Sequence, residues 1–220
     1  MKIRKIGIVG SGHIGGTVGT MLAKAGYEVL FSSRRPETLK SLAKTAGPGA
    51  CAGTVSEAIA FGDVVLLSVP LKAVPELDPG VRDALKGKIV IDTSNPYPER
   101  DGALADEARK DPGGMGSFVA RLLPGARIVR AFNSVHFADL RKTKNKSGEK
   151  IGIPIAGDDR EGVEAASELV ERIGLDPVVV GGLAASRSFD VGTAVYATSA
   201  SAREIRKRLD IIPAGSKHAA

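Results

Sequence analysis

Cysteine is scarce in this sequence, and tryptophan is missing altogether. Cys51 is the single cysteine among 220 residues. This excludes a disulfide framework, and it excludes a metal or iron–sulfur site built from several cysteines. One unpaired cysteine is also typical of a reducing compartment. The chain length predicts one domain, or one domain with a small appendage.

Long apolar runs are missing as well. The most apolar stretch, residues 64–71, is interrupted by Ser68 and Pro70 and is far shorter than the ~20 residues that cross a bilayer. The apolar run that follows the basic start of the chain ends at once at Gly10, so no export signal is predicted. These features predict a soluble, cytoplasmic protein with no membrane partner.

The excess of positive charge is local. The formal net charge is +6, and residues 141–150 hold five basic residues against Glu149. No aromatic residue lies among them, and aromatic side chains are what single-stranded nucleic acids stack on. The stretch therefore predicts a solvated loop rather than a nucleic-acid surface, with a contact to an anionic part of a substrate as the alternative.

Strand and helix patterns alternate along the whole chain. Buried strands are predicted at residues 3–9, 28–32, 63–69, 88–92, 127–132, 151–156 and 177–180. The polar segment 93–116 is predicted to be a long loop with one helical turn, and residues 183–209 are predicted to be helical. This order predicts an α/β fold with a doubly wound, mostly parallel sheet. Residues 1–135 would form the main unit, and residues 136–220 a small C-terminal α/β extension packed on it.

A glycine motif lies between the first predicted strand and the first helix. It reads Gly10-Ser11-Gly12-His13-Ile14-Gly15. Gly10 permits a tight turn, Gly12 lets the backbone approach a pyrophosphate, and Gly15 lets the helix pack closely. The helix N-terminus offers amide donors to phosphates. In this strand–turn–helix context the motif predicts a Rossmann NAD(P)-binding fold, with His13 either covering the cofactor or lying on the surface.

The end of the second strand indicates which dinucleotide is bound. NAD sites usually place an acidic residue there to bind the ribose hydroxyls, whereas this chain has Ser32-Ser33-Arg34-Arg35. Arginine can clasp phosphate oxygens with paired hydrogen bonds. The segment therefore predicts NADP(H) rather than NAD(H), and the alternative is that both arginines are only solvated.

Three further segments follow buried strands and should reach the same crevice, because ligands bind beyond the carboxyl ends of such strands. Their candidate cofactor-binding residues are Ser68, Val69, Pro70, Asn95, Pro96, Ala131 and Asn133. The amides of Asn95 and Asn133 are suited to orient a nicotinamide carboxamide, although each segment could equally be a plain turn.

No catalytic residue stands out. His136 is the one candidate for proton transfer, and a helix-start residue without chemistry is the alternative. The sequence shows no zinc cluster, no Ser-His-Asp order and no paired carboxylates, so no metal site is predicted.

Four features together carry a family resemblance: the glycine motif, residues 32–35, residues 130–133 (RAFN) and Gly157-Asp158-Asp159. With these features the chain resembles the NADP-dependent oxidoreductases that act with the deazaflavin coenzyme F420. It is also similar to the cytosolic reductase domains of the six-transmembrane metalloreductases, which share that fold.

The resemblance implies roles for several residues. Ser33, Arg34 and Arg35 would grip the 2′-phosphate, and Val69 and Pro70 would lie against the nicotinamide. The crevice between the main unit and residues 182–209 would receive the second redox partner.

The function predicted on these grounds is hydride transfer between NADP(H) and a flavin-like small-molecule acceptor. Coenzyme F420 is the first candidate acceptor, and a free flavin is another. A non-catalytic NADP(H)-binding sensor and a flavin or ferric reductase using NADPH are the alternatives, and a homodimer is left open.

Overall fold

A computed structural model describes residues 2–211. Eight strands form one sheet: β1 Lys5–Val9, β2 Glu28–Ser32, β3 Ala50–Gly53, β4 Val64–Leu67, β5 Ile89–Asp92, β6 Arg127–Arg130, β7 Gly152–Gly157 and β8 Asp176–Gly181. Their spatial order is β3-β2-β1-β4-β5-β6-β7-β8. Every neighbouring pair is parallel except β6 and β7. The predicted doubly wound, mostly parallel sheet is confirmed.

Helices cover both faces of the sheet. The α-helices are α1 His13–Lys24, α2 Lys40–Ala46, α3 Val55–Phe61, α4 Pro79–Ala84, α5 Pro98–Asp101, α6 Ala103–Lys110, α7 Gly114–Leu122, α8 Phe137–Leu140, α9 Arg160–Arg172 and α10 Ala202–Arg208. Short 3-10 helices span Pro36–Leu39, Leu71–Ala73 and Leu183–Phe189. No helix within residues 2–211 is long and apolar enough to cross a membrane.

The core lies in two layers, one on each side of the sheet. Successive residues of a strand point to opposite faces, so the continuous apolar run of β4 feeds both layers. Val64 and Leu66 pack in the layer that contains α1 and α9. Val65 and Leu67 pack in the layer that contains α7. A strand buried on both faces is held firmly, and this fixes where its carboxyl end opens into the crevice.

The prediction of a long loop over residues 93–116 is wrong, because α5, α6 and the first three residues of α7 occupy 15 of its 24 residues. A buried carboxylate organises the segment. Asp101, 6% exposed, accepts hydrogen bonds from the backbone N–H groups of Tyr97 and Lys72 and from the Arg100 guanidinium. Burial raises the pKa of Asp101, but these hydrogen bonds outweigh that effect and hold the pKa below its usual value.

The prediction of one helix over residues 183–209 is also wrong. Only the 3-10 helix Leu183–Phe189 and α10 are helical, and residues 190–201 cross the carboxyl edge of the sheet without regular structure. Gly192 and Ala197 adopt positive φ angles of 90° and 54°, which interrupt a right-handed helix. We call residues 190–201 the covering segment. The short strand β3 is a further element that the sequence patterns did not predict.

The C-terminal extension continues the sheet of the main unit. Strand β7 pairs antiparallel with β6, and β8 pairs parallel with β7. Helix α9 begins at Asp159, whose side chain accepts a hydrogen bond from the N–H of Gly162. The boundary between residues 135 and 136 stays a prediction, and residues 212–220 of the predicted extension lie outside the described residues.

Candidate functional site

The glycine motif turns from β1 into α1, and its three glycines are constrained differently. Gly10 has a φ of +92°, and a Cβ there would lie 2.5 Å from the carbonyl oxygen of Ser68. A Cβ at Gly15 would lie 2.1 Å from the carbonyl oxygen of Gly10. A Cβ at Gly12 would meet nothing within 4 Å among the described residues. Gly10 and Gly15 are therefore required by the fold, whereas Gly12 faces open space in which a phosphate group fits.

Helix α1 leaves its first turn ready for an anion. Its N-terminal residue carries no capping side chain, and its first turn contains no acidic residue. Ile14 and Gly15 lie in that turn, so the unpaired N–H groups of the turn and the positive end of the helix dipole point toward the open space at Gly12.

The segment after β2 separates into a buried part and an exposed part. Ser32 is fully buried, and its hydroxyl donates to the carbonyl oxygen of Ile8 at 2.7 Å, so only its main chain can face a ligand. The hydroxyl of Ser11 donates to the carbonyl oxygen of Ser32 at 3.0 Å. This bond fixes the glycine loop against the end of β2.

The residues that follow Ser32 are available to a ligand. The backbone N–H of Arg35 donates to the hydroxyl of Ser33 at 3.1 Å. Arg34 and Arg35 are exposed, and neither forms an ion pair with another residue of the range 2–211. Two free guanidinium groups beside a hydroxyl form a site suited to a phosphate.

The other predicted residues lie along the same edge of the sheet. Ser68 donates its backbone N–H to the carbonyl oxygen of Val9 at 2.8 Å, and the Val69 side chain lies beside Gly10. Pro70 is exposed there, whereas Pro96 is buried after β5.

Beyond β6, the structure joins the two asparagines directly. The side-chain N–H of Asn95 donates to the carbonyl oxygen of Asn133 at 2.9 Å, and the side-chain N–H of Asn133 donates to that of Phe189 at 3.2 Å. Ala131 is fully buried beneath them.

Buried polar atoms without partners gather at this place. Within the described part of the chain, five side-chain atoms are buried and make no hydrogen bond: Asn95 Oδ1, Arg130 Nε, Asn133 Oδ1, Ser134 Oγ and Thr193 Oγ1. Asn133 is 4% exposed and Ser134 is 1% exposed. An unpaired buried polar group costs about 1–3 kcal/mol, so each of these atoms requires a partner such as a water molecule or a polar ligand.

The covering segment forms the second wall of this crevice. Its Ala197 donates a backbone N–H to the carbonyl oxygen of Ser134 at 2.8 Å. Phe132 and Ala197 both adopt positive φ angles, 62° and 54°, which are costly for residues other than glycine. Strained backbone on both walls, next to the unpaired atoms, is typical of a functional site.

A buried ionic network anchors the covering segment to the sheet. Arg130 is fully buried and donates to Asp92 at 2.7 Å and to Asp190 at 3.0 Å. Asp190 also accepts the N–H of Met115 at the start of α7. Burial raises the pKa of Asp92, and Arg130 and two hydrogen bonds from Ser94 act against this rise.

No local sequence pattern predicts this network. Its sequence signal is a pair of opposite charges, Asp92 at the end of β5 and Arg130 at the end of β6, in two neighbouring strands that are predicted to be buried. Buried charges of this kind need a partner.

The first helix of the extension packs on the glycine loop. The ring of Phe137 stacks on His13 with the ring centroids 4.4 Å apart. The Nδ1 atom of His136 accepts the N–H of Ala138 at the start of α8, so this histidine caps a helix. Arg141 donates to the hydroxyl of Thr17 at 3.2 Å. The extension therefore borders the cofactor site as well as the crevice.

Comparison with known proteins gives relatives that cover most of this chain. Residues 5–96 match the family described as NADP oxidoreductase, coenzyme F420-dependent. The chain is 32% identical over 201 residues to the F420-dependent NADP reductase of Methanothermobacter marburgensis, covering 85% of this chain and 87% of that protein. It is 28% identical over 189 residues to the metalloreductase STEAP3 of Rattus norvegicus, where the match takes in 84% of this chain and 36% of the rat protein.

Solved structures share the fold over nearly the full chain. A hypothetical protein from Sinorhizobium meliloti superposes with a TM-score of 0.72 at 26% identity, covering 90% of this chain and 94% of that one. A putative F420-dependent NADP reductase from Arthrobacter superposes with a TM-score of 0.71 at 18% identity, covering 91% and 100%. Because the chain is 32% identical to the reductase of Methanothermobacter marburgensis over 87% of that protein, it belongs to the NADP oxidoreductase family of the F420-dependent NADP reductases.

Proposed function

We propose that the protein transfers hydride between NADP(H) and a flavin-like ring acceptor, with coenzyme F420 as the first candidate. The observation that carries this proposal is the crevice that faces the cofactor edge of the sheet. When the Asn95 and Asn133 oxygens bind the nicotinamide carboxamide, the unpaired buried hydroxyls of Ser134 and Thr193 remain for polar groups on the edge of a flat ring.

The cofactor assignment has separate support. The open space at Gly12 receives the pyrophosphate, and Ser33, Arg34 and Arg35 bind the 2′-phosphate. The unpaired oxygens of Asn95 and Asn133 are suited to accept hydrogen bonds from the carboxamide. Bound NADPH would supply the hydride from its nicotinamide ring.

The protein's part in the reaction is positioning. Holding two rings within reach can account for much of a rate enhancement, and the strained residues Phe132 and Ala197 keep the two walls of the crevice in a fixed arrangement. Enzyme relatives and this closed-in crevice favour a catalyst over a non-catalytic NADP(H) sensor. We propose further that the main unit spans residues 1–135 and the extension residues 136–220.

The experiment is NADPH oxidation by the full chain with four separate acceptors: oxidised F420, riboflavin, ferric citrate and a small hydroxyacid-derived ketone. We expect NADPH turnover with F420 or riboflavin, and little turnover with the ketone. Turnover with ferric citrate alone would favour the ferric reductase. NADPH binding without turnover on any acceptor would favour the sensor.

A further inference from the structure

Two tyrosines meet across the crevice. Tyr97 belongs to the segment after β5, and Tyr196 belongs to the covering segment, 99 positions further along the chain. Their hydroxyl groups are hydrogen-bonded to each other. The pair therefore joins the two walls close to Asn95 and Ser134, whose side-chain oxygens are unpaired.

Each tyrosine is held by its own wall. The backbone N–H of Tyr97 donates to the buried carboxylate of Asp101 at 3.0 Å, and the Arg100 guanidinium lies 4.9 Å from the centre of the Tyr97 ring. The backbone N–H of Tyr196 donates to the carbonyl oxygen of Thr193 at 3.2 Å, and the next residue binds Ser134. The two hydroxyls are thus held on fixed backbone rather than on free loops.

The pair has one hydroxyl hydrogen to spare. Each tyrosine hydroxyl carries one hydrogen and two lone pairs, and the mutual bond uses only one of the two hydrogens. Among residues 2–211 neither hydroxyl has another hydrogen-bond partner. Burial, followed by the contact with Tyr97, raises the pKa of Tyr196, so this phenol keeps its proton at neutral pH.

We propose that the Tyr97–Tyr196 pair is a catalytic hydrogen-bond donor to the ring acceptor, an inference that rests on the proposed function. Hydride transfer breaks a C–H bond of the reduced nicotinamide and forms a C–H bond at C5 of a deazaflavin, or an N–H bond at N5 of a flavin. NADPH is oxidised, and the acceptor gains an electron pair that is shared by its ring heteroatoms. The spare O–H donates a hydrogen bond to one of these atoms, and water supplies the proton that completes the reduction.

A donor placed where charge develops strengthens as the reaction proceeds. The pair therefore lowers the barrier more than it tightens the binding of the acceptor. It also favours acceptors that have a polar ring edge, because only these can accept the hydrogen bond.

The test uses Tyr97→Phe and Tyr196→Phe, each of which removes one oxygen. The third tyrosine of the chain provides a matched control, since the Tyr27 hydroxyl binds Glu168 at 2.9 Å, far from the crevice. Three quantities are measured for each variant: the dissociation constant of NADPH, the dissociation constant of oxidised F420 for the protein loaded with NADP+, and the single-turnover rate of hydride transfer to F420. Riboflavin replaces F420 throughout if the wild type does not use F420.

We expect NADPH binding within twofold of wild type, acceptor binding weakened about two- to tenfold, and hydride transfer slowed by more than about tenfold. The double variant should resemble the slower single variant, because the two hydroxyls act as one donor. Tyr27→Phe should match wild type in all three measurements.

Two results would overturn the role of the pair while leaving the proposed function intact: transfer rates within twofold of wild type in both variants, or NADPH binding weakened as much as the rate. Absence of turnover by the wild type with both acceptors would instead overturn the proposed function, and the role of the pair with it.

Discussion

Replacement of Arg34 by serine should reduce the preference for NADPH over NADH. Arg34 is exposed and forms no ion pair within the described residues, so its removal leaves no buried charge and should not unfold the protein. A hydrogen bond to a charged group contributes ~1.5–3 kcal/mol. For an exposed arginine the lower end of that range applies, which corresponds to NADPH binding weakened by about tenfold to thirtyfold.

Calorimetric titration of wild type, Arg34→Ser and Arg35→Ser with NADPH and with NADH measures this effect. The wild type should bind NADPH at least tenfold more tightly than NADH. Both variants should lose affinity for NADPH and keep their affinity for NADH. Arg160→Ser provides the control, because this arginine is 91% exposed on α9 and within residues 2–211 pairs only with Glu164.

The arginines and the 2′-phosphate would interact as charges near the surface. Raising the salt concentration should therefore reduce the difference in affinity between NADPH and NADH. Equal wild-type affinities for the two nucleotides would refute the assignment of the 2′-phosphate site. Equal losses of NADPH and NADH affinity in Arg34→Ser would place the arginine at the pyrophosphate instead.

Three other outcomes can be measured directly. Gly15→Ala should lower the free energy of unfolding by about 1–3 kcal/mol in a denaturant titration, because its Cβ would lie 2.1 Å from the Gly10 oxygen. Gly12→Ala should change the free energy of unfolding by less than ~0.5 kcal/mol but weaken NADPH binding at least tenfold. The pKa of Asp101 is lowered in the folded protein, so its ionised carboxylate stabilises the fold. This stabilisation is complete above the unfolded carboxyl pKa of ~3.9 and is lost as the pH falls through the folded pKa. In acid unfolding curves, the difference in free energy of unfolding between wild type and Asp101→Asn should therefore shrink below about pH 4. His136→Ala should slow single-turnover hydride transfer by less than about tenfold, because His136 caps α8; complete loss of transfer with intact NADPH binding would make it catalytic.

Local sequence patterns predicted the strands and the helix that build the glycine loop and the centre of the sheet. Consecutive residues determine the strand–glycine–helix order of β1 and α1. The same holds for the apolar runs that form β4 and β5. No sequence pattern predicted the residue range of strand β3. Its residues, Ala50–Gly53, include no β-branched side chain and do not alternate between apolar and polar. Its position is decided by pairing with β2.

The crevice depended on contacts between distant residues. Arg130 and Asp190 are 60 positions apart, and their ion pair directs the covering segment across the sheet instead of letting it continue as a helix. The Tyr97–Tyr196 pair spans 99 positions, and nothing local marks either residue. Spacing and composition could therefore predict the cofactor loop, whereas the second wall of the site needed the tertiary structure.

We propose that hydride moves from NADPH to a ring held in this crevice. The most direct measurement uses NADPH that carries deuterium at the transferable position of nicotinamide C4, mixed with the protein and oxidised F420 in a single turnover. Mass spectrometry of the reduced acceptor should find one deuterium per molecule, with none released to water. Reduced acceptor without deuterium, or consumption of NADPH without any reduced ring, would contradict the account.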